Sequence, residues 1–132
     1  MSDKPTIRVV AAEAENDGRY LITQRRPEAT LPLLWEFPGG KVETGETDSE
    51  ALARELSEEM DIEVEVGDEV LAVLREYDKY FIDFHVYSVR ILSPEIKRIQ
   101  VHDYRWVTVA ELADYDFPAA DQESVDQLLR GR

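Results

Sequence analysis

The chain has 132 residues, no cysteine and a formal net charge of −14, which bounds it to one domain with a real core and excludes a disulfide framework or thiol chemistry. That acidity argues against sequence-independent binding to a nucleic acid backbone, so duplex nucleic acid is not an expected partner. No apolar run approaches a membrane span and Met1-Ser2-Asp3-Lys4-Pro5 lacks a signal peptide's apolar stretch, so a cytoplasmic protein without a membrane partner is expected.

Residues 6–15 begin apolar and β-branched and read as a strand. Asn16-Asp17-Gly18 is a hairpin turn signal, and residues 19–24 return as the second strand. Arg25 and Arg26 lead into a loop that carries Pro27 and Pro32. Arginines there are commonly solvated, but these lie close to the glycine turn, so a phosphate contact is a fair minority reading. Residues 35–41, Trp35-Glu36-Phe37-Pro38-Gly39-Gly40-Lys41, read as a short strand entering that turn, with Trp35 and Phe37 on one packed face.

Thr47-Asp48-Ser49-Glu50 is a capping box that starts a helix. Leu52, Leu56 and Met60 form its apolar stripe, and Glu50 and Arg54 have the spacing of an i,i+4 pair. Residues 62–66 alternate like a half-exposed strand. Residues 69–77 and 80–92 read as two longer strands joined at Asp78-Lys79, with His85 inside the second and given no role. Residues 93–102 read as a loop, 104–107 as a strand and 108–112 as the start of a short helix. Phe117-Pro118-Ala119-Ala120-Asp121 is a turn, and Asp121 is placed to cap a last helix that ends near Leu129. Strands with one helix in the middle and one at the end predict an α+β or α/β/α fold.

The chemistry concentrates between Gly40 and Ile62. Glu55, Glu58 and Glu59 are spaced i, i+3 and i+4, which puts three carboxylates on one helix face. Like charges so close repel, and a hard divalent cation held by oxygen ligands offsets that cost. Solvated surface glutamates are the plain alternative, but they leave Pro38-Gly39-Gly40 and Gly45-Glu46 unexplained.

This pattern resembles the box of the Nudix family: Gly40, five residues, Glu46, seven residues, Arg54-Glu55-Leu56, one residue, Glu58-Glu59, and Ile62. Asp61 stands where the family has Gly; Asp tolerates left-handed backbone better than most residues, so the turn is expected to survive. The residues 35–41, Tyr104-Arg105-Trp106-Val107 with Glu111-Leu112, and Phe117 to Asp121 are similar to the MutT-like branch. The resemblance implies a single Nudix domain over residues 1–132, a mixed sheet between helices. It also implies hydrolysis of a nucleoside triphosphate to a monophosphate and pyrophosphate, with Mg2+ or Mn2+ as cofactor. Carried over by position, Glu55, Glu58, Glu59 and the carbonyl of Gly40 would hold the metal, and Glu55, Glu58 and Arg54 would carry the catalysis. Arg54 and Glu46 would orient the ligands. Arg25, Glu36, Phe37, Gly39 and Asp121 would meet the substrate. A small-molecule nucleotide is then the partner, and a monomer or weak dimer is expected.

MutT-like proteins usually carry a further Glu before the late Trp-Val. Gln100 stands there, or Val101 if the loop is one residue shorter, and neither accepts a proton. His102 and Asp103 are the nearby substitutes for the base, and a glutamate of the box is the other. ADP-ribose, a dinucleoside polyphosphate or an RNA 5′ end remain alternative substrates, and a nucleotide-binding domain that does not cut is the reading from another class.

Overall fold

The computed structural model describes residues 3–131. Strands β1 (Thr6–Asn16) and β2 (Arg19–Gln24) are joined as expected through Asp17 and Gly18. Both turn residues take positive φ, 53° and 78°, the geometry that lets a two-residue hairpin follow the strand twist. The run from Trp35 to Lys41 is not one strand. It divides into β3 (Trp35–Glu36), paired with β2, and β4 (Gly39–Lys41), paired with β1. Pro38, with no N–H to donate, sits at the crossing, and its carbonyl accepts from the Ala12 amide at 2.8 Å.

Helix α1 (Asp48–Met60) starts on the predicted capping box: Thr47 Oγ1 accepts from the Glu50 amide, and Glu50 accepts from the Thr47 amide. Glu50 is therefore spent at the cap and does not pair with Arg54 as its spacing suggested. Leu52, Leu56 and Met60 are fully buried. The helix ends on Asp61 in the left-handed region (φ 54°, ψ 47°), its N–H bonded to the Ser57 carbonyl, so the turn survives without glycine.

The two strands expected at residues 62–66 and 69–77 are one, β5 (Val64–Glu76), with register shifts between Val66 and Leu71. Gly67 and Asp68 look like a break but form a bulge, where a Cβ on Gly67 would lie 2.7 Å from Ser88 Oγ. Strand β6 (Phe81–Ile91) follows, then β7 (Asp103–Thr108), a 3-10 turn (Ala110–Asp114) and α2 (Ala119–Leu129). The N-cap of α2 is Pro118, with no side-chain cap bond, and Asp121 lies inside the first turn. Its expected capping role is corrected: its carboxylate points into the protein.

The sheet runs β3-β2-β1-β6-β5, with β4 added to β1 and β7 to β2. Strands β1 and β6 are parallel and all other pairs are antiparallel. A parallel pair needs a long crossover, which the segment containing α1 supplies. Strand alternation sends Val10, Ala12 and Ala14 to the α1 side, and Ala11, Phe84 and Val86 to the α2 side. Two cores on opposite faces make the expected α/β/α sandwich. No helix among the described residues is long and apolar enough to cross a membrane.

Candidate active site

The glycine turn is pressed against β1. A Cβ on Gly39 would lie 2.0 Å from the Val10 carbonyl oxygen, so only glycine allows this backbone approach. A Cβ on Gly40 would lie 2.4–2.6 Å from the carboxylate atoms of Glu55. The turn thus forms a cradle that the Glu55 carboxylate fills.

Arg54 organises the acidic face. It grips Glu46 with two bonds, Nε to Oε2 at 2.6 Å and Nη2 to Oε1 at 3.0 Å, and reaches the Lys41 carbonyl at 3.0 Å. Its Nη1 donates to Glu55 at 3.0 Å and to Glu58 at 3.2 Å. The bond from Arg54, helped by the Glu43 amide, holds the Glu46 carboxyl below the usual carboxylate range. Glu59 has no such cation. Burial, and then the charges of Glu36, Glu55 and Glu58, push its carboxyl well above that range. Glu36 is also raised, by burial first, with Arg25 opposing and Glu55 adding to the rise.

Four carboxylates therefore converge here, with Arg54 bonded to Glu55 and Glu58 and Arg25 bonded to Glu36. The all-oxygen donor set and the cradle beside Gly40 fit a hard divalent ion. Glu55, Glu58, Glu59 and the Gly40 carbonyl are the residues that would hold it. A second cluster lies elsewhere, on the sheet beside the start of α1. There Asp48, Glu69 and His85 bring one ligand atom each within 4.8 Å of one another. Those atoms are engaged already: Arg8 holds both Asp48 oxygens (2.7 and 2.8 Å), Tyr87 bonds Asp48 at 2.5 Å, and His85 touches Glu69 and Asp83.

Two cavities meet at the glycine turn. One, of about 330 Å³, is lined by Val9, Phe37, Tyr77, Ile82, Phe84 and Pro118, with Asp121 at its wall. The other, of about 190 Å³, is lined by Gln24, Arg26, Glu59 and Gln100. Arg25, Glu36 and Gly39 line both. Arg25 bonds Glu36 at 3.0 Å and Thr30 through the carbonyl and hydroxyl, at 2.6 and 3.0 Å. Asp121 is 7 % exposed, and its Oδ1 accepts from the Phe37 amide at 3.1 Å. Burial, and then the Glu36 charge, raise its carboxyl well above the ordinary value of 3.8.

Gln100 reaches the second cavity because its backbone is tied to the end of α1. The Glu59 carbonyl accepts from the amides of Ile99 and Gln100, at 3.1 and 3.0 Å, which satisfies a helix-end carbonyl. His102 and Asp103 line neither cavity. The His102 amide bonds the Gln24 carbonyl at 2.9 Å. Partial burial lifts the Asp103 carboxyl, but bonds from the Tyr104 amide and Arg105 outweigh it and the net shift is downward. The strand walls Val9, Ile82 and Phe84 were not foreseen. Alternation puts them on one face, but nothing local tells which face admits a ligand.

Comparisons with known proteins agree with this geometry. The NUDIX domain profile matches residues 9–127. The chain is 39 % identical to the CTP pyrophosphohydrolase of Escherichia coli K12, over 87 % of this chain and 85 % of that one. It is 35 % identical to the 8-oxo-dGTP diphosphatase of Haemophilus influenzae, over 96 % and 94 %. Among solved structures, the solution structure of the E. coli ORF135 protein superposes with a TM-score of 0.80 at 33 % identity, covering 97 % of this chain and 93 % of that one. The MutT protein from Methanosarcina mazei Go1 gives 0.85 at 26 %, covering 98 % and 97 %. A box folded into this cradle, in a chain matched almost end to end, belongs to one family: this protein is a MutT-like Nudix hydrolase, an enzyme that cleaves nucleotide pyrophosphate linkages.

Proposed function

We propose that the enzyme hydrolyses a nucleoside triphosphate to a monophosphate and pyrophosphate, with Mg2+ (Mn2+ as substitute) bound at Glu55, Glu58, Glu59 and the Gly40 carbonyl. The observation that carries this reading is the junction of the two cavities. A mostly apolar slot, sized for a base and sugar, opens past Gly39 into a recess lined by Glu59, Arg25 and Gln100. A nucleotide lying across the junction has its base against Phe37 and Asp121 and its phosphates before the carboxylates of α1. The bound ion supplies charge neutralisation for the polyphosphate and for the transition state.

The chain's own groups divide the remaining work. Arg54 fixes Glu55 and Glu58 in place, and Glu46 fixes Arg54. The attacking water has to lose a proton to an oxygen base, and the Gln100 amide is none. The box glutamates are the oxygen bases at hand, and Glu58, exposed and bonded to Arg54 through Oε2, is the most accessible of them to solvent. In the slot, burial raises both Glu36 and Asp121, with Arg25 opposing the rise at each; we assign the acceptor role to Glu36, which is bonded to Arg25, and the donor role to the more deeply buried Asp121. One acceptor beside one donor suits a base edge with an exocyclic amino group next to a ring nitrogen, as in cytosine or adenine. Uracil and thymine present the opposite pattern. We place the enzyme in the cytoplasm, acting on free nucleotides.

Release of pyrophosphate from a panel of ribo- and deoxynucleoside triphosphates tests the reading. CTP- or ATP-type substrates should lead UTP and dTTP, and EDTA should abolish turnover. Equal rates on all bases would remove the Glu36–Asp121 reader, and cleavage of ADP-ribose alone would replace the substrate class.

A further inference from the structure

Arg75 lies on β5 opposite Ile82 of β6, and two residues before Tyr77. Ile82 and Tyr77 both line the larger cavity, and directly paired or alternate strand residues share one side of the sheet. Arg75 therefore stands on the side of the sheet that walls the slot. Its Nη2 donates to Glu123 of α2, and its Nε is buried with no hydrogen-bond partner among the described residues. Glu123 is one helical turn beyond Ala120, so the two share a face of α2. Ala120 lines the slot, and the next residue, Asp121, bonds the Phe37 amide. The ion pair thus links the sheet wall of the slot to the helix that carries its opposite wall. The Nη2–Glu123 pair is the ionic contact by which Arg75 meets α2.

We infer that Arg75 is a positioning residue for base selection: by holding Glu123 it sets how closely the Ala120–Asp121 face of α2 approaches the sheet, and so which bases the slot accepts. The inference rests on the reading that this slot holds the nucleobase. It assigns no contact between Arg75 and the reacting phosphates. Both partners are about a third exposed on their side chains, so their removal leaves the core intact. The bond itself is worth little to global stability. Its effect lies in where a short helix rests.

The test compares Arg75→Ala, Arg75→Lys, Glu123→Gln and the exchanged pair Arg75→Glu with Glu123→Arg. Steady-state kinetics on the triphosphate panel are measured alongside amide hydrogen exchange at Phe37. Arg75→Ala and Glu123→Gln should both shift KM and the ranking of bases by roughly three- to thirtyfold, the range of a coupling carried through packed elements. The kcat for the preferred base should stay within about threefold, because that range is spent on the slot rather than on the phosphates. Phe37 amide exchange should quicken in both variants, since its acceptor Asp121 rides on α2. The exchanged pair should restore ranking and exchange together, and Arg75→Lys should restore them in part. Unchanged Phe37 exchange in both single variants overturns the proposal. So does a ranking shift in Arg75→Ala that Glu123→Gln lacks, which would mean that the guanidinium meets the nucleotide itself. If the wild type cuts no triphosphate, the substrate reading falls, and Phe37 exchange alone then decides whether Arg75 holds α2.

Discussion

Gly40→Ala separates the fold from the chemistry. The φ of Gly40 lies outside the left-handed region, so alanine fits the backbone. Its Cβ would stand 2.4 Å from Glu55 Cδ, where ordinary contact begins at 3.4 Å. The Glu55 carboxylate must therefore retreat by 3.4 − 2.4 = 1.0 Å, which a flexible side chain does at little cost. Displacing a positioned group by about 1 Å lowers turnover by roughly 100-fold, or about 2.7 kcal/mol. Stability should move little or rise, because Gly→Ala at a permissive site contributes about 0.4–1 kcal/mol through the unfolded chain. Gly39→Ala is the control: its Cβ meets the Val10 carbonyl at 2.0 Å and Ala11 Cα at 2.8 Å, both backbone. That variant should lose about 1–3 kcal/mol by overpacking. The assay pairs Tm by calorimetry with kcat across a Mg2+ titration. If Gly40→Ala keeps kcat within threefold and the same Mg2+ midpoint, Glu55 is no metal ligand and the cradle argument is refuted.

Glu58→Gln and Glu59→Gln should each lower kcat by about 100-fold or more while far-UV circular dichroism stays native, and near-normal turnover at saturating Mg2+ would remove them from the site. In metal-free buffer Glu59→Gln should raise Tm, because it deletes a charge that burial and three neighbouring carboxylates disfavour. Mg2+ should raise the wild-type Tm and leave that of Glu59→Gln nearly unmoved, as expected of an ion that binds only the native state. Gln100→Ala should cost less than about tenfold in kcat with an unchanged pH profile, since an amide takes no proton. Asp121→Asn follows from linkage. A carboxyl raised in the native state makes stability fall as pH rises from its ordinary value of 3.8 through the native one. The variant should therefore exceed the wild-type Tm at pH 8 and approach it near pH 4. A pH-independent difference would show that Asp121 titrates normally.

Much of this was legible because local signals and tertiary demands agree. The Asp17-Gly18 turn, the capping box at Thr47 and the stripe Leu52, Leu56 and Met60 each depend on neighbours a few residues away. The box was readable because Gly40, Glu46, Arg54 and the three glutamates are close in sequence as well as in space. Where the reading failed, a competing partner outside the pattern decided. Gly67-Asp68 reads as a break, yet Ser88 across the ladder lets the strand run on through a bulge. Glu50 and Arg54 have the right spacing, but the Thr47 amide and Glu46 claim them first. Asp121 has the type and position of an N-cap, and the Phe37 amide, 84 residues away, turns it inward. The slot walls come from β1, β4, β6 and α2, which no single window contains.

Strand β5 closes the sheet with thirteen residues and pairs on one side only, with β6. An open edge of that length is a template for another chain. The bulge at Gly67 twists part of it away, and the strand carries Glu65, Asp68, Glu69 and Glu76, three of them paired with Arg90, His85 and Lys4. The chain's isoelectric point is about 4.4, so acidification removes the net negative charge of the molecule while the backbone hydrogen-bonding groups of this edge stay as they are. Mild acid should therefore bring self-association through β5 before it brings unfolding. Near neutral pH a formal charge of −14 works against such pairing between copies.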